Sequence, residues 1–110
     1  MLSPDQVRAM ALNLPEAEEH DHWGKPSFRT RKKIFATLHV AEQRAVLKLP
    51  LADQSALIEM FPDIYSLGGW SHQGWTFVDL TKVDPGEFQA QLTHAWRQLA
   101  TKRAIKQLDE

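Results

Sequence analysis

Basic side chains that could contact phosphate groups are concentrated in one segment of the chain. Residues 25–48 carry seven lysines and arginines and one acid, whereas the whole chain has a net charge of −1. Six bases are the candidates for binding nucleic acid: Lys25, Arg29, Arg31, Lys32, Lys33 and Lys48. Because Arg29, Arg31 and Lys33 alternate, we expect them on one side of a hairpin, projecting from its tip. Bases placed in this way supply most of the non-specific affinity of proteins for nucleic acid.

A tryptophan–glycine loop is the second candidate site. Residues 68–75 read GGWSHQGW, and the three glycines permit close backbone approach and unusual backbone angles. Four side chains here could offer stacking and hydrogen bonds to a ligand: Trp70, His72, Gln73 and Trp75. The segment is close to the G-x-S-x-G elbow of serine hydrolases, but Gln73 replaces the last glycine. We therefore expect no catalytic elbow here; the loop either binds a ligand or is packed down by Trp70, with Trp75 as a core strand residue.

Two histidines and a carboxylate alternate in the acidic segment before the basic one. Glu18, His20 and His22 would point the same way on a strand, and such a set can hold zinc or iron. The neighbouring acids fit a solvated acidic loop with two incidental histidines better, since the first helix has only Asp5 as an acid before Pro15. We expect no metal site and no cofactor.

The composition limits the class of protein. The chain has 110 residues, 43% of them hydrophobic and 25% charged, which predicts one globular domain over residues 1–110. It has no cysteine, so disulfides and thiol nucleophiles are excluded. No run approaches the ~20 apolar residues of a membrane span, and the first residues lack the pattern of a signal peptide. We expect a cytoplasmic monomer. Without a phosphate-binding glycine loop or dinucleotide fingerprint, we expect no enzyme.

The local patterns predict helices at both ends and strands between them. Ser3 and Gln6 form a capping-box pattern that predicts a helix as far as Leu14, before Pro15. Asp53 is the expected cap of a short helix to about Phe61, and Asp84 that of a long helix to about Leu108. Alternation predicts four strands over residues 28–31, 33–40, 44–49 and 75–80, with one more around 18–22.

These elements predict an α+β domain with an antiparallel sheet of about five strands. The N- and C-terminal helices would pack on one face of the sheet, and the short helix would precede the last strand. In the central strand, strict alternation places Ile34 with Ala36 and Leu38 on one face. It places Phe35 with Thr37 and His39 on the other.

Several motifs in order along nearly the whole chain are similar to those of the MmcQ/YjbR family. They are HDHWGKPSFR (20–29), KIFATL (33–38), RAVLKLP (44–50), GWTFVDL (74–80) and HAWRQLATKR (94–103). The resemblance implies a bacterial protein with a fold similar to bacterial frataxin. It also implies DNA binding through a double-wing arrangement of strands and hairpins. Relatives often have glycine in the hairpin before Lys33, where this chain has Arg31 and Lys32.

Two functions therefore remain open. The first is weak, largely non-specific binding of nucleic acid, with double-stranded DNA as the expected partner, through the basic hairpin and with Trp70 stacking or wedging. The second is a small-ligand or protein-interaction module that uses the loop from Gly68 to Trp75. Charged hairpin tips also keep sheet edges soluble, which explains part of the basic segment without any ligand.

Overall fold

The structure is a computed structural model and describes all of residues 1–110. Its four α-helices are Pro4–Leu12 (α1), Leu51–Met60 (α2), Pro85–Arg97 (α3) and Lys102–Asp109 (α4). Its six strands are Glu18–His22 (β1), Lys25–Thr30 (β2), Lys33–His39 (β3), Arg44–Lys48 (β4), Tyr65–Leu67 (β5) and Trp75–Asp79 (β6). A short 3₁₀ helix, Ser71–Gln73, precedes β6. None of the helices combines the length and apolar character needed to cross a bilayer.

The six strands form one antiparallel sheet in the order β1-β2-β3-β4-β6-β5. The α+β fold is as predicted, but the sheet has one strand more than the expected five or so. The additional strand is β5, a three-residue edge strand in which only Tyr65 is buried. Three residues are too few to produce a period in the sequence, which is why this stretch reads as a loop.

All four helices pack on the same face of the sheet. Each contributes buried side chains to a single core cluster, including Val7 of α1, Leu57 of α2, Trp96 of α3 and Ala104 of α4. Trp96 also donates from its indole Nε1 to the carbonyl of Pro15 at 3.0 Å, which ties α3 to the chain that follows α1. The opposite face of the sheet carries no helix.

Helix α1 begins as its sequence predicts. The Ser3 hydroxyl accepts from the Gln6 backbone N–H at 3.1 Å, and the Gln6 side chain accepts from the Ser3 N–H at 2.8 Å. This reciprocal pair satisfies two backbone donors that the first turn would otherwise leave free. Helix α2 differs from the prediction, because Pro50 precedes it and Asp53 lies inside its first turn without capping it.

The predicted long C-terminal helix is wrong, because the chain divides it into α3 and α4. The Thr101 hydroxyl accepts from the Ala104 N–H at 3.0 Å and starts a new helix. The new direction buries Ala104 completely in the core. Arg97 and Asp109 then hold the two helices together through two hydrogen bonds of 3.1 and 3.3 Å. A helix can be interrupted without proline or glycine when a side-chain cap and burial in the core stabilise the interrupted form.

A bulge in β3 overturns the strict alternation predicted for that strand. Phe28 lies opposite Ala36 and Arg29 lies opposite Ile34, so Phe35 is the extra residue. The bulge turns Phe35 into the core beside Ala36 and moves Ile34 to the face that also carries Thr37 and His39. This single residue therefore decides which side chains reach the uncovered face.

Candidate functional site

The uncovered face of the sheet, here called the open face, carries the candidate site. Pairing register places on it alternate residues of the central strands, except at the bulge in β3, where Ile34 and Thr37 are three residues apart. They are Lys25, Ser27 and Arg29 of β2, Ile34, Thr37 and His39 of β3, Arg44, Val46 and Lys48 of β4, and Trp75, Phe77 and Asp79 of β6. Cations and aromatic rings thus share one surface.

A groove of about 290 Å³ lies on the open face, beneath the loop that precedes β6. Side chains of the sheet form most of its lining, and Gly69 and Trp70 close one side. The lining residues are His22, Ile34, Thr37, His39, Val46, Gly69, Trp70, Trp75 and Phe77. The groove is mainly apolar, with ring edges and faces on several sides, so it suits a flat, partly apolar ligand.

The loop that carries Trp70 is fixed to the fold by Gln54 of α2. The side-chain amide of Gln54 is buried and lies 3.1 Å from the Ser71 carbonyl, 3.2 Å from the Trp75 carbonyl and 3.0 Å from the Thr76 hydroxyl. The first acceptor lies at the start of the 3₁₀ helix, and the other two lie on the first two residues of β6. The amide therefore fixes the path of the loop over the sheet.

Gly74 fixes the other end of the same loop. Its φ is +97°, and a Cβ there would overlap the carbonyl oxygen of Leu49. The close approach of the two backbones allows the Leu49 N–H to donate to the Gly74 carbonyl at 2.9 Å. Only glycine fits this position, because both the backbone angle and the space exclude a side chain.

Two tryptophans occupy backbone positions that are unfavourable for them. Trp23 and Trp70 have φ of +57° and +60°, in the left-handed region that favours glycine and asparagine. Their exposed fractions are 88% and 71%, so neither gains the stability that a buried ring would bring. Neither tryptophan therefore stabilises the fold at its position. Residues with unfavourable backbone angles cluster at functional sites.

The predicted phosphate-binding residues divide into three groups. Lys25, Arg29 and Lys48 lie on the open face. Arg31 and Lys32 form the two-residue turn between β2 and β3, both with positive φ. Lys33 pairs with Thr30 and so lies on the side opposite to Arg29, contrary to the predicted alternation. The two-residue turn explains this, because a turn of two residues pairs Thr30 with Lys33 and Arg29 with Ile34.

None of these six bases forms an ion pair within the chain, and neither does Arg44. Instead, two cations of the open face lie over aromatic rings. The guanidinium carbon of Arg44 is 3.8 Å from the centre of the Phe77 ring, and the Lys48 ammonium is 5.7 Å from that of Trp75. The rings hold the cations near the groove while leaving their charge unneutralised.

His39 lines the groove in a defined protonation state. Burial lowers the pKa of His39, and the nearby charges of Arg44 and Lys25 lower it further, against a weaker opposite effect of Glu42. Arg44 Nε donates to His39 Nδ1 at 3.2 Å, so the neutral ring carries its hydrogen on Nε2. That Nε2 has no hydrogen-bond partner in the chain.

The four residues predicted from the tryptophan–glycine loop fall into two pairs. Trp70 and Trp75 line the groove. His72 and Gln73 belong to the 3₁₀ helix and do not line it, although the rings of His72 and Trp70 are 5.9 Å apart. Sequence reasoning missed His39, Arg44 and Phe77 as site residues. The alternation of Thr37 and His39 carried part of that signal, but the neighbouring strands were needed to complete it.

The histidines of β1 do not form a compact donor set. Glu18 and His20 are in contact at 3.2 Å, and His22 lies farther along the same face of the strand and lines the groove. No three acidic or histidine side chains converge on one point in the structure. The basic residues of α4 lie in the helical layer, so they do not share a face with the basic residues of β2 and β4.

The fold and the sequence both have known counterparts. A structure similar to that of this chain is the crystal structure of the Deinococcus radiodurans protein DR2400, whose domain is described as DUF419. The TM-score is 0.83 at 19% identity, over 99% of this chain and 89% of that one, which supports the common fold. No protein of curated function is detectably similar. The family model YjbR matches residues 12–98, and the chain therefore belongs to the YjbR family.

Proposed function

We propose that this protein is a non-enzymatic nucleic-acid-binding protein whose contact surface is the open face together with the β2–β3 turn. Binding is weak and largely independent of sequence, because the surface offers cations and rings but no row of polar groups for reading base edges. The observation that carries the proposal is the combination of unpaired cations and aromatic rings on one uncovered sheet face.

The charge distribution supports this choice of ligand. Lys25, Arg29 and Lys48 lie on the open face, and Arg31 and Lys32 extend it at the turn. The fold leaves these charges unpaired, whereas it pairs Arg8 with Glu19 and Arg97 with Asp109 elsewhere. Cations without internal partners are free to neutralise phosphates and to release the counterions bound to them.

The test is the salt dependence of binding to a short DNA duplex. With about four phosphate contacts, raising the salt from about 50 to about 200 mM should weaken binding roughly a hundredfold. Amide-resolved NMR should place the shifts on residues 25–34 and 44–48. Binding that does not respond to salt, or no shift even at low salt, would contradict the proposal.

Two triple variants with the same change in net charge sharpen this test. Replacing Lys25, Arg29 and Lys48 by glutamine should lower duplex affinity at least tenfold and flatten the salt slope by about 0.9 per lost contact. Replacing Lys102, Arg103 and Lys106 of α4 by glutamine should change neither. Equal losses in both variants would show that only overall charge matters and that the open face is not the interface.

A second candidate function is a small-ligand or protein-interaction module formed by the Gly68–Trp75 loop. The observation in its favour is that Gly69, Trp70 and Trp75 line the mainly apolar groove. This function predicts binding that survives salt, is lost in Trp70→Ala and is unchanged when Arg31 and Lys32 are replaced by alanine. The two candidates therefore differ in their response to salt and in which variants remove binding.

A further inference from the structure

We propose that the groove on the open face binds one unpaired nucleobase, so that the protein prefers single-stranded nucleic acid to duplex. This inference rests on the proposed function, since the cations around the groove would hold the phosphates on either side of the base.

The size of the groove fits one ring system. Its volume of about 290 Å³ lies at the lower limit of small-molecule pockets, which span about 300–1,000 Å³. Trp70, Trp75 and Phe77 supply ring surfaces against which a flat ligand can pack. A base inside a duplex is already stacked on both sides, and extracting it costs a few kcal/mol of pairing and stacking energy. An unpaired base enters without that cost.

Trp70 is placed to cover such a base. It lines the groove, yet 71% of its surface is exposed, so its ring is not consumed by packing within the protein. The backbone that carries it is fixed by Gln54 on one side and by Gly74 on the other. A fixed backbone with an unburied ring lowers the entropy cost of stacking on a ligand.

His39 supplies a polar contact for the edge of the base. Its Nδ1 is occupied by Arg44, its Nε2 carries the hydrogen of the neutral ring, and that hydrogen has no partner in the chain. Burial and the adjacent cations lower the pKa of His39 and keep the ring neutral at neutral pH. The carbonyl oxygens and ring nitrogens of nucleobases accept hydrogen bonds, so a bound base can accept one from His39 Nε2.

The cations complete the match to a nucleotide. Arg44 and Lys48 lie over Phe77 and Trp75, two rings that line the groove, and Lys25 is close enough to His39 to affect its pKa. A base in the groove would thus be bordered by positive charge on β2 and on β4. This complementarity favours an anionic strand over an uncharged aromatic ligand.

The experiment compares four probes under identical low-salt conditions by fluorescence anisotropy. They are a short oligothymidylate, a strand of the same length in which abasic sites replace the bases, a duplex of that length, and thymidine monophosphate. The abasic strand is the matched control for charge. We expect the oligothymidylate to bind about tenfold more tightly than the abasic strand or the duplex, and far more tightly than the mononucleotide.

Variants assign this preference to the groove. Trp70→Ala should reduce the preference for the oligothymidylate over the abasic strand to near unity, and Trp70→Phe should retain most of it. His39→Phe keeps a ring but removes the donor, and should lower oligothymidylate affinity about fivefold without changing abasic binding. Trp70 is exposed, so its variants should fold normally, as circular dichroism would verify.

The other outcomes separate the two proposals. Equal, salt-sensitive binding of the oligothymidylate and the abasic strand would overturn the base pocket and leave the proposed function intact. Mononucleotide binding as tight as that of the strand would show that the groove takes free nucleotides, and would overturn the preference for strands. No binding of any polymer at low salt would overturn both.

Discussion

Arg44 donates from Nε to Nδ1 of His39 at 3.2 Å, directly across the pairing of β3 with β4. The guanidinium of the same residue lies over the Phe77 ring at 3.8 Å. One arginine therefore fixes the tautomer of His39 and places a cation on an aromatic wall of the groove. These two contacts couple three strands into one site and give the open face its chemical character.

The first prediction concerns the protonation of His39. Because burial and the charges of Arg44 and Lys25 lower its pKa, NMR titration should find it below the ordinary value of about 6.5. The unfolded chain then binds the proton more readily than the folded chain. The contribution of His39 to stability is therefore complete above the unfolded pKa and is lost as pH falls through the folded pKa.

Arg44→Met provides the matched variant for this titration. Removing the guanidinium should raise the pKa of His39 but leave it below the ordinary value, because burial is the larger cause. The nitrogen chemical shifts of the wild-type ring should report a hydrogen on Nε2. An unchanged pKa of His39 in Arg44→Met would show that the contact with Arg44 is not maintained in solution, and a wild-type pKa at or above about 6.5 would show that His39 is not buried among cations as in this structure.

Gly74 should tolerate no side chain. Gly74→Ala places a Cβ on the Leu49 carbonyl oxygen at a φ of +97°, and we expect a loss of about 3 kcal/mol in the free energy of unfolding. Gly69→Ala in the same loop is the control, because a Cβ there meets nothing within 4 Å. Urea unfolding of both variants tests this, and similar losses would mean that the loop, rather than the contact with Leu49, limits stability.

Gln54 should be needed to hold the tryptophan loop. Gln54→Leu keeps a similar volume but leaves the carbonyls of Ser71 and Trp75 without this donor. We expect the free energy of unfolding to fall by about 2 kcal/mol and amide hydrogen exchange to become faster over residues 70–75. An unchanged exchange rate in the loop would show that Gly74 and the sheet hold it without the amide.

In the turn between β2 and β3, Arg31 and Lys32 should supply positive charge but lower the stability of the fold. Arg31 and Lys32 both have positive φ, for which an asparagine–glycine pair is preferred. Replacing them by asparagine and glycine should raise the free energy of unfolding by about 1 kcal/mol. If both contact phosphate, the salt slope of duplex binding should flatten by about 1.8.

Gln43→Gly is the uncharged control for that turn. Gln43 also has a positive φ, in the turn between β3 and β4, and is exposed. The Gln43→Gly substitution should raise the free energy of unfolding without changing the salt slope of duplex binding. A flattened slope in this variant would show that the effect of the Arg31 and Lys32 replacements comes from stability and not from lost phosphate contacts.

Local rules account for the parts of the fold that sequence reasoning predicted correctly. The capping box of Ser3 and Gln6, the cap of Asp84 on Glu87, and the alternation in β6 act between residues close in sequence. The break before α4 was missed because it depends on burying Ala104 against distant elements. A capping residue inside a helical pattern starts a new helix only when the change of direction buries side chains in the core.

The sequence by itself determined the α+β fold class, a basic segment and a loop rich in glycine and tryptophan. Charge and residue type are properties of the sequence and need no fold to be read. The tertiary structure decided that Phe35 bulges, that Ile34 and His39 therefore share a face, and that Trp70 lies across that face. Sheet register and the path of a loop depend on contacts between residues far apart in sequence, and local periodicity does not encode them.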